Sequence, residues 1–383
     1  MIQTAWPYLA VMLLAAGLYP ALERRFGWRL FSFAPPIVLT YLTVTALAVS
    51  GLWERTPEIA ATQSTAIAKL VPALVFLLLI NCDLRAILRL GPRVLGVFFA
   101  TTASLALAFV LAFLLFRALL PGDAWQPIAA LSGSWVGGTA NMVAVKQAIG
   151  MRDSLMAMSL LTDALCYSCW VVVLFSVARL APAFNRWTGA TSSADLVVEA
   201  PRELAPTTPD SVLVWLGLAL LVAAVCSVLA KQIPANGMIS ATTWTILLAT
   251  LAGLVVAQTP LARYPGAGPI ASALLAAVVA VLASQGDFSG IAQAPVYLLC
   301  GATIIVLHAV FLVLAAKLFK FDLYLCGIAS LAHIGGVATT PILAASYSRS
   351  LAPVGVLLAL LGYVLGTTFG IGMASVLSAL AIH

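Results

Sequence analysis

Apolar runs, each long enough to cross a lipid bilayer, follow one another along almost the whole chain. A membrane-spanning helix needs about 20 predominantly apolar residues, and the stretch 294–318 supplies that length without an acidic residue. Of the 383 residues, 63% are hydrophobic and 8% are charged, whereas about a quarter are charged in soluble domains. The runs are continuous rather than alternating, which excludes a β-barrel. The chain is therefore predicted to be an all-α polytopic membrane protein.

The runs predict about 12 transmembrane helices, within a range of about 11 to 13. The predicted spans are 8–22, 34–53, 65–82, 93–116, 126–150, 154–180, 211–231, 238–258, 267–285, 294–318, 323–346 and 353–381. The only long polar connection is 182–210, which is rich in Pro, Ser, Thr and acidic residues. Such a composition is typical of a linker.

The basic residues favour an N-terminus outside the membrane. With that orientation, the outer loops of the first half hold only Arg55 and Arg117. The inner loops hold Arg24, Arg25, Arg29, Arg85, Arg89, Arg93, Lys146 and Arg152. This asymmetry follows the positive-inside rule. No basic region precedes the first apolar run, so a cleaved signal peptide is not expected. We expect a multi-pass protein of a bacterial-type inner (plasma) membrane.

Three pairs of similar segments occur in the same order in the two halves. They are WVGGTAN at 135–141 with HIGGVAT at 333–339, NCDLRAI at 81–87 with QGDFSGI at 285–291, and LLTDALCY at 160–167 with LLGYVLGT at 360–367. The nearly constant offset indicates an internal duplication, which is common in secondary transporters. We expect inverted repeats. An even number of predicted spans separates equivalent segments, however, so either one span is miscounted or the repeats are parallel.

Two glycine pairs, Gly137-Gly138 and Gly335-Gly336, interrupt apolar runs near their middle. Within a bilayer, non-helical backbone is tolerated only where protein or a water-filled cavity surrounds it. The pairs therefore predict two discontinuous helices that cross each other, whose half-helix ends would bind an ion and the polar groups of a substrate. The alternative is close helix packing through small residues.

These features define the predicted organisation of the chain. A first repeat covers 1–181 and contains a broken helix at about 126–150. The polar linker covers 182–210. A second repeat covers 211–383 and contains a broken helix at about 323–346.

Asp163 is an acidic residue in the middle of a predicted span. A charged side chain there costs roughly 2.5–3.5 kcal/mol on insertion scales, so such residues are commonly functional. Asp163 is predicted to bind Na⁺ or carry a proton, and the alternative is a protonated carboxyl hydrogen-bonded to a neighbouring helix. Hard cations prefer oxygen ligands. Thr162 and Asn141 are therefore the further candidates for a Na⁺ site, and no other cofactor is expected.

Several other polar residues are candidates with open roles. His333 precedes the second glycine pair, and a titrating and a purely structural histidine are equally compatible with the sequence. His308 is expected to be a packing residue. Tyr363, Thr367 and Thr368 match Asp163, Tyr167 and Ser168 in the other half and are expected to complete a polar cavity. Asp83 and Asp287 lie at matched ends of their runs, and for Asp83, which Arg85 follows closely, a cap or a surface ion pair is as compatible as a functional role. Asn81 is expected to point toward the membrane interior and contact the substrate.

The segments NCDLRAILRLGPRVLG, GSWVGGTANMVAV and AHIGGVATTPILAASY resemble those of the YjcL-like family of uncharacterised membrane proteins. That family belongs to the superfamily of cation:proton antiporters and anion transporters. Its bile-acid:sodium symporters carry a similar GGT segment followed by Asn. The resemblance implies a panel domain and a core domain, with two broken helices crossing in the core.

The resemblance also implies where ligands bind. The first crossover would consist of Gly137, Gly138, Thr139 and Asn141. The second would consist of His333, Gly335, Gly336, Thr339 and Thr340. The sodium symporters have an acidic residue in the second crossover, and this chain has none there. Asp163 is more similar in its placement to the carboxylate of the antiporters, which leaves sodium and proton coupling both open.

The predicted function is ion-coupled (Na⁺ or H⁺) secondary transport of a small polar organic solute, such as an organic anion, amino acid or short peptide, by alternating access. The alternative within transport is a sodium:proton antiporter without an organic substrate. From another class, the chain could be a sensor or a membrane-embedded enzyme. An intramembrane hydrolase would need a catalytic pair, and its candidates, Asp163 and His333, lack a motif that joins them, so an enzyme is not expected. The expected partners are the solute, the coupling cation, the lipid bilayer and a second copy of the chain as a homodimer, but not nucleic acid.

Overall fold

The computed structural model describes residues 1–27, 31, 35–80, 82–193, 206–234, 240–286 and 294–381. These residues fold almost entirely into helices. The α-helices are α1 (Ala5–Phe26), α2 (Pro36–Val49), α3 (Pro57–Leu79), α4 (Leu84–Leu88), α5 (Gly91–Phe116), α6 (Trp125–Gly137), α7 (Thr139–Ala148), α8 (Met156–Val177), α9 (Ala181–Thr188), α10 (Pro209–Ala230), α11 (Ala241–Ala257), α12 (Ala267–Ala283), α13 (Ala294–Phe319), α14 (Leu323–Ile334), α15 (Gly336–Tyr347) and α16 (Ala352–Ala381).

Seven helical segments among the described residues are long and apolar enough to cross a membrane. They are Ala5–Phe26, Pro57–Leu79, Gly91–Phe116, Asp153–Thr188, Pro209–Ala230, Ala294–Phe319 and Ala352–Ala381. Helices α2, α11, α12 and α14 are apolar but shorter. The predicted all-α, multi-pass membrane protein is confirmed. The number of twelve spans and the two repeats stay predictions.

Helix starts are set by polar residues that interrupt the apolar runs. Thr56 precedes Pro57 and its side chain accepts a hydrogen bond from the Ile59 amide at 3.3 Å. At the start of α11, Ser240 and Thr243 form a reciprocal capping box. Such caps satisfy amide groups that would otherwise lack a partner at a helix start. These caps fix the first residue of each helix, which the hydropathy pattern alone locates only to within several residues.

The chain forms two compact units, each built from three separate segments. The first unit contains Met1–Asn81, Val143–Leu165 and Leu204–Ala294. In it, α3 packs against α10, α11 and α12, and α2 packs against α1 and α12. Gly253 lets α11 approach α3 closely, because a Cβ there would lie 2.8 Å from the Phe76 carbonyl oxygen.

The second unit contains Cys82–Met142, Cys166–Glu203 and Pro295–His383. Its longest helix, α16, packs against α6, α14 and α15, and α14 also packs against α5. At the start of α14, the fully buried Asp322 accepts hydrogen bonds from two amides of that helix and from the Ser193 hydroxyl at 2.6 Å. The Arg93 guanidinium lies 3.5 Å from the same carboxylate and neutralises it.

Helix α9 (Ala181–Thr188) occupies the beginning of the predicted linker 182–210, and α10 starts within its last residues. One expectation needs correction in detail. Lys146 was expected in an inner loop, but it lies in α7, is 4% exposed and pairs with Asp153. Helix α7 ends only two residues later, at Ala148, so the Lys146 ammonium can reach the turn that carries Asp153. Lys146 therefore carries less weight in the orientation argument.

Candidate functional site

The first predicted break lies at Gly138, between α6 and α7. Gly138 has φ 84° and ψ 173°, a conformation that essentially only glycine adopts. Its carbonyl oxygen accepts the Asn141 amide at 2.9 Å, so α7 begins directly after the break. The helix is thus interrupted for one residue at the glycine pair that the sequence indicates.

The second break lies between α14 and α15, at Gly335 and Gly336. Gly336 has φ 68°, in the left-handed region that favours glycine. A Cβ at Gly335 would lie 2.6 Å from the Thr339 hydroxyl oxygen. The Thr339 and Thr340 hydroxyls donate back to the carbonyls of Gly335 and Gly336 at 3.0 and 2.6 Å. Both predicted threonines therefore support the backbone of the break itself.

Both breaks contact the same two residues of the continuous helix α16. A Cβ at Gly138 would lie 3.2 Å from Tyr363 Cε1, and one at Gly336 would lie 3.7 Å from the Tyr363 hydroxyl oxygen. The preceding residue, Gly362, lies against the Val136 carbonyl of α6, and a Cβ on it would be 3.4 Å from the Ala332 carbonyl of α14. The two helix breaks therefore lie close together, both beside Tyr363 of α16.

Asn141 connects the first break to α16. Its Nδ2 donates to the Tyr363 carbonyl at 2.9 Å and to the Thr367 hydroxyl at 3.1 Å. Since a carbonyl can only accept, these contacts fix which end of the amide is nitrogen. The Asn141 side-chain oxygen is buried and has no hydrogen-bond partner in the part of the chain that the structure describes. A buried acceptor without a partner costs about 1–3 kcal/mol, which a ligand could recover.

The electrostatics at Tyr363 follow from the helix ends. Helices α7 and α15 both begin at the breaks, and a helix N-terminus carries a partial positive charge of about half an elementary charge. The Val337 backbone, in the first turn of α15, hydrogen-bonds to the Tyr363 hydroxyl. The half-buried side chains of Thr139 and Tyr363 thus lie at N-terminal helix ends suited to the acceptor groups of a solute.

His333 lies in the last turn of α14, and both its ring nitrogens have hydrogen-bond partners. Nδ1 lies 2.8 Å from the Ala329 carbonyl oxygen and Nε2 lies 2.8 Å from the Thr102 hydroxyl. The ring packs on Phe98, with centroids 4.2 Å apart. His308 is not the simple packing residue that was expected, because both its ring nitrogens are hydrogen-bonded to serines.

The predicted Na⁺ ligands do not all belong to one unit. Thr162 and Asp163 are in the first unit, whereas Asn141 is in the second. Thr162 is buried and Asp163 is half-buried in α8. Among the described residues, no three His, Cys, Asp or Glu side chains lie close enough together to hold a metal ion. The joint Na⁺ site therefore stays a prediction.

The remaining candidates are simpler. Asp83 caps α4, since one of its carboxylate oxygens accepts from the Arg85 and Ala86 amides at 2.9 and 3.2 Å. Thr368, unlike the buried Thr367, is exposed. Asn81 and Asp287 lie outside the described residues.

The sequence analysis missed two groups of residues around the breaks. The first is the Gly362–Gly366 pair of α16, a GxxxG spacing that is typical of close helix contacts in membranes and could have been found. The second is a set of polar side chains that surrounds the two histidines, namely Thr102, Ser104, Trp170 and Ser330. Their spacing in the sequence gives no signal, because the network joins four different helices.

Comparison with known proteins gives one result. A search of curated proteins finds no match. A family model described as "Protein of unknown function (DUF819)" matches residues 9–380, which is nearly the whole chain. The protein therefore belongs to the DUF819 family.

Proposed function

We propose that the protein is an ion-coupled secondary transporter of a small polar organic solute, such as an organic anion, an amino acid or a short peptide. The solute would bind where the two broken helices meet on α16, and the protein would alternate its access between the two sides of the membrane. The finer features proposed with it are two inverted repeats, about 12 spans, an inner-membrane location and an N-terminus outside. Enzymatic activity is not part of the proposal.

The observation that carries the proposal is the contact of both helix breaks with Tyr363 beside the unpaired Asn141 oxygen. Two helix N-termini supply donors for an anionic or carbonyl group, and the Asn141 oxygen supplies an acceptor for a donor group or a cation. Irregular backbone at membrane depth is found where it is buried in protein or lines a cavity. A transporter uses both kinds of group to hold solute and ion in one conformation.

Asp163 is proposed to hold the coupling cation, with the Thr162 hydroxyl as a further ligand. This role rests on the resemblance to the antiporter superfamily and on the chemistry of the residues, since hard cations prefer carboxylate, hydroxyl and amide oxygens. Coupling means that solute and cation favour the same conformation, so each increases the affinity for the other by the same factor.

The first experiment is a thermal-stability screen of the purified protein against Na⁺, pH and a panel of amino acids, short peptides and organic anions. A ligand at 100 times its Kd stabilises the folded state by about 2.7 kcal/mol. We expect a solute that raises the unfolding temperature more in Na⁺, or at low pH, than without. A positive solute is then tested for accumulation in proteoliposomes, and absence of accumulation for every stabilising solute would refute the transport proposal.

The Thr367→Val variant tests whether this solute binds at the breaks. The substitution keeps the side-chain shape but removes the hydroxyl that contacts Asn141. Thr303→Val is the matched control, because the Thr303 hydroxyl donates to the Leu299 carbonyl of its own helix. We expect Thr367→Val to lose most of the solute-dependent stabilisation and Thr303→Val to keep it. If the solute stabilises both variants equally, it does not bind at the helix breaks.

The Asp163→Asn variant tests the coupling ion. We expect a folded protein whose transport no longer depends on the cation gradient, and unchanged cation dependence would remove Asp163 from the site. Proton flux on adding sodium alone, in vesicles without any organic solute, would instead support the sodium:proton antiporter.

A further inference from the structure

His308 forms the centre of a buried hydrogen-bond chain in the second unit. Its Nδ1 lies 2.7 Å from the Ser104 hydroxyl, which in turn donates to the Thr101 carbonyl at 2.7 Å. Its Nε2 lies 2.9 Å from the Ser330 hydroxyl, which accepts from the Trp170 indole at 2.9 Å. His308 itself is fully buried. These hydrogen bonds therefore join four helices, α5, α8, α13 and α14, through the His308 imidazole.

The hydrogen positions in this chain follow from its two ends. The Ser104 hydroxyl donates to the Thr101 carbonyl, so its oxygen is available to accept a hydrogen from His308 Nδ1. The Trp170 indole can only donate, so the Ser330 hydroxyl is free to donate to His308 Nε2. A neutral His308 satisfies every link. A protonated His308 would direct a second hydrogen at Ser330 and displace the hydrogen that Ser330 now donates.

His333 differs because its neighbour can serve either charge state. The Ala329 carbonyl can only accept, so Nδ1 carries a hydrogen in both states. The Thr102 hydroxyl lies 2.8 Å from Nε2 and 3.1 Å from the Phe98 carbonyl oxygen. It can donate to a neutral ring, or rotate to donate to the carbonyl and accept from a protonated ring. Rotation of the Thr102 hydroxyl therefore lets His333 be neutral or protonated while both ring nitrogens keep a hydrogen-bond partner.

Within the described part of the chain, few other titratable groups lie on the helices around His333. From α13, His308 interacts electrostatically with it. The charged residue of α5, Arg93, is paired with Asp322 at the opposite end of α14. Helix α6 has no titratable residue, and α16 contributes Tyr363 at the breaks. Burial opposes a charge at both histidines, so proton uptake requires a partner that accepts the new N–H group.

We propose that His333, with Thr102 as its rotating hydroxyl, is a proton-binding site of this protein, and that His308 stays neutral. The inference rests on the proposed transport function and identifies the proton as a coupling ion. His333 lies two residues before Gly335, so its charge state acts on the end of α14 at the second break. Protonation would change the hydrogen bond between α14 and α5 and so favour one arrangement of the broken helix.

The test is an NMR pH titration of the full-length protein labelled with ¹⁵N-histidine, in detergent and without any solute. The sequence contains three histidines, His308, His333 and His383, and the variants His308→Gln and His383→Gln assign their signals. We expect His333 to change reversibly from the neutral to the imidazolium spectrum while the protein remains folded. We expect His308 to keep the neutral, Nδ1-protonated spectrum over the same range.

Two substitutions of Thr102 test whether its rotating hydroxyl is needed for proton binding at His333. Thr102→Ser keeps a rotating hydroxyl and is the matched control, whereas Thr102→Val keeps the shape and removes it. A hydrogen bond to a charged group is worth more than one to a neutral group. The His333 titration midpoint should therefore move to more acidic pH by about one unit, a tenfold loss in proton affinity, in Thr102→Val and stay near the wild-type value in Thr102→Ser.

A His333 that stays neutral at every pH where the protein is folded would overturn the inference, and so would equal midpoints for the two Thr102 variants. Either result leaves sodium-coupled transport open. Conversely, a titrating His333 in a protein that accumulates no solute would refute the proposed function and retain the proton site. The two failures are therefore distinguishable.

Discussion

Gly366 of α16 gives the most direct test of the packing at the first helix break. A Cβ at this position would lie 2.6 Å from Asn141 Nδ2, 2.7 Å from Gly137 Cα and 2.8 Å from Gly137 N. The Gly137 atoms belong to the backbone and cannot avoid the new methyl group by a rotamer change. To reach the 3.4 Å of ordinary van der Waals contact, α16 and α6 must separate by about 0.7 Å. Gly366→Ala should therefore disturb the break itself.

The size of the effect follows from two opposing contributions. Replacing Gly by Ala inside a helix normally stabilises it by about 0.5–1 kcal/mol. Overpacking a close contact costs about 1–3 kcal/mol. Gly372, in the same helix, has nothing within 4 Å of an added Cβ, so Gly372→Ala receives only the first contribution. Because the propensity gain is common to both variants, Gly366→Ala should be less stable than Gly372→Ala by about 1–3 kcal/mol.

The measurement is the free energy of unfolding of the two variants and the wild type in one detergent, from denaturant titrations followed by circular dichroism. We expect the order Gly372→Ala, wild type, Gly366→Ala, from most to least stable. If Gly366→Ala is as stable as Gly372→Ala, α16 does not approach α6 as closely as described. The contacts described for Asn141 and Tyr363 would then also be incorrect.

Three further changes test other parts of the second unit by the same unfolding measurement. Gly138→Ala should destabilise the protein by about 1–3 kcal/mol, because alanine is strained at φ 84° and ψ 173°; an unchanged stability would indicate a regular helix there. Ser330→Ala leaves the buried Trp170 indole and His308 Nε2 without their partner. A loss of about 1–3 kcal/mol of stability is expected for each of these two groups, and a total loss below about 1 kcal/mol would contradict the hydrogen bonds assigned to His308. Asp322→Ala removes the α14 cap and should cost at least about 1 kcal/mol, whereas Asp322→Asn, which keeps a capping oxygen, should cost less; equal losses would assign the effect to the ion pair.

The membrane class and the helix breaks could be predicted because both depend on local sequence. Apolar length fixes the class, and a glycine pair inside such a run marks where the helix is interrupted, as at Gly138 and Gly336. The number of spans was harder to predict. A run such as 34–53 contains α2, which has only 14 residues, since Pro36 begins the helix and Ser50 ends it. Hydropathy does not detect such ends.

The partners of the site residues could not be predicted, because they depend on which helices become neighbours. Nothing near Asn141 in the sequence indicates that its amide bonds to the Tyr363 carbonyl, 222 positions away. The partners of the two histidines could not be predicted either. The sequence does not link His308 with His333, but both are hydrogen-bonded to hydroxyls of α5. Isolated serines and threonines in an apolar helix are too common to mark such contacts beforehand.

The two breaks are supported in different ways, which affects how they could hold a ligand. Asn141 and Thr339 are matched in the sequence comparison of the two halves. The longer Asn141 side chain reaches across to α16, whereas the short Thr339 side chain returns to the Gly335 carbonyl of its own helix. Among the residues that the structure describes, the Asn141 oxygen at the first break has no partner, whereas the Thr339 hydroxyl at the second break already donates to a carbonyl. In the proposed transporter, a solute between the breaks would meet the Asn141 oxygen at the first break and, at the second, a Thr339 hydroxyl whose hydrogen is already donated. Asn141 would therefore contribute more than Thr339 to fixing the orientation of the solute.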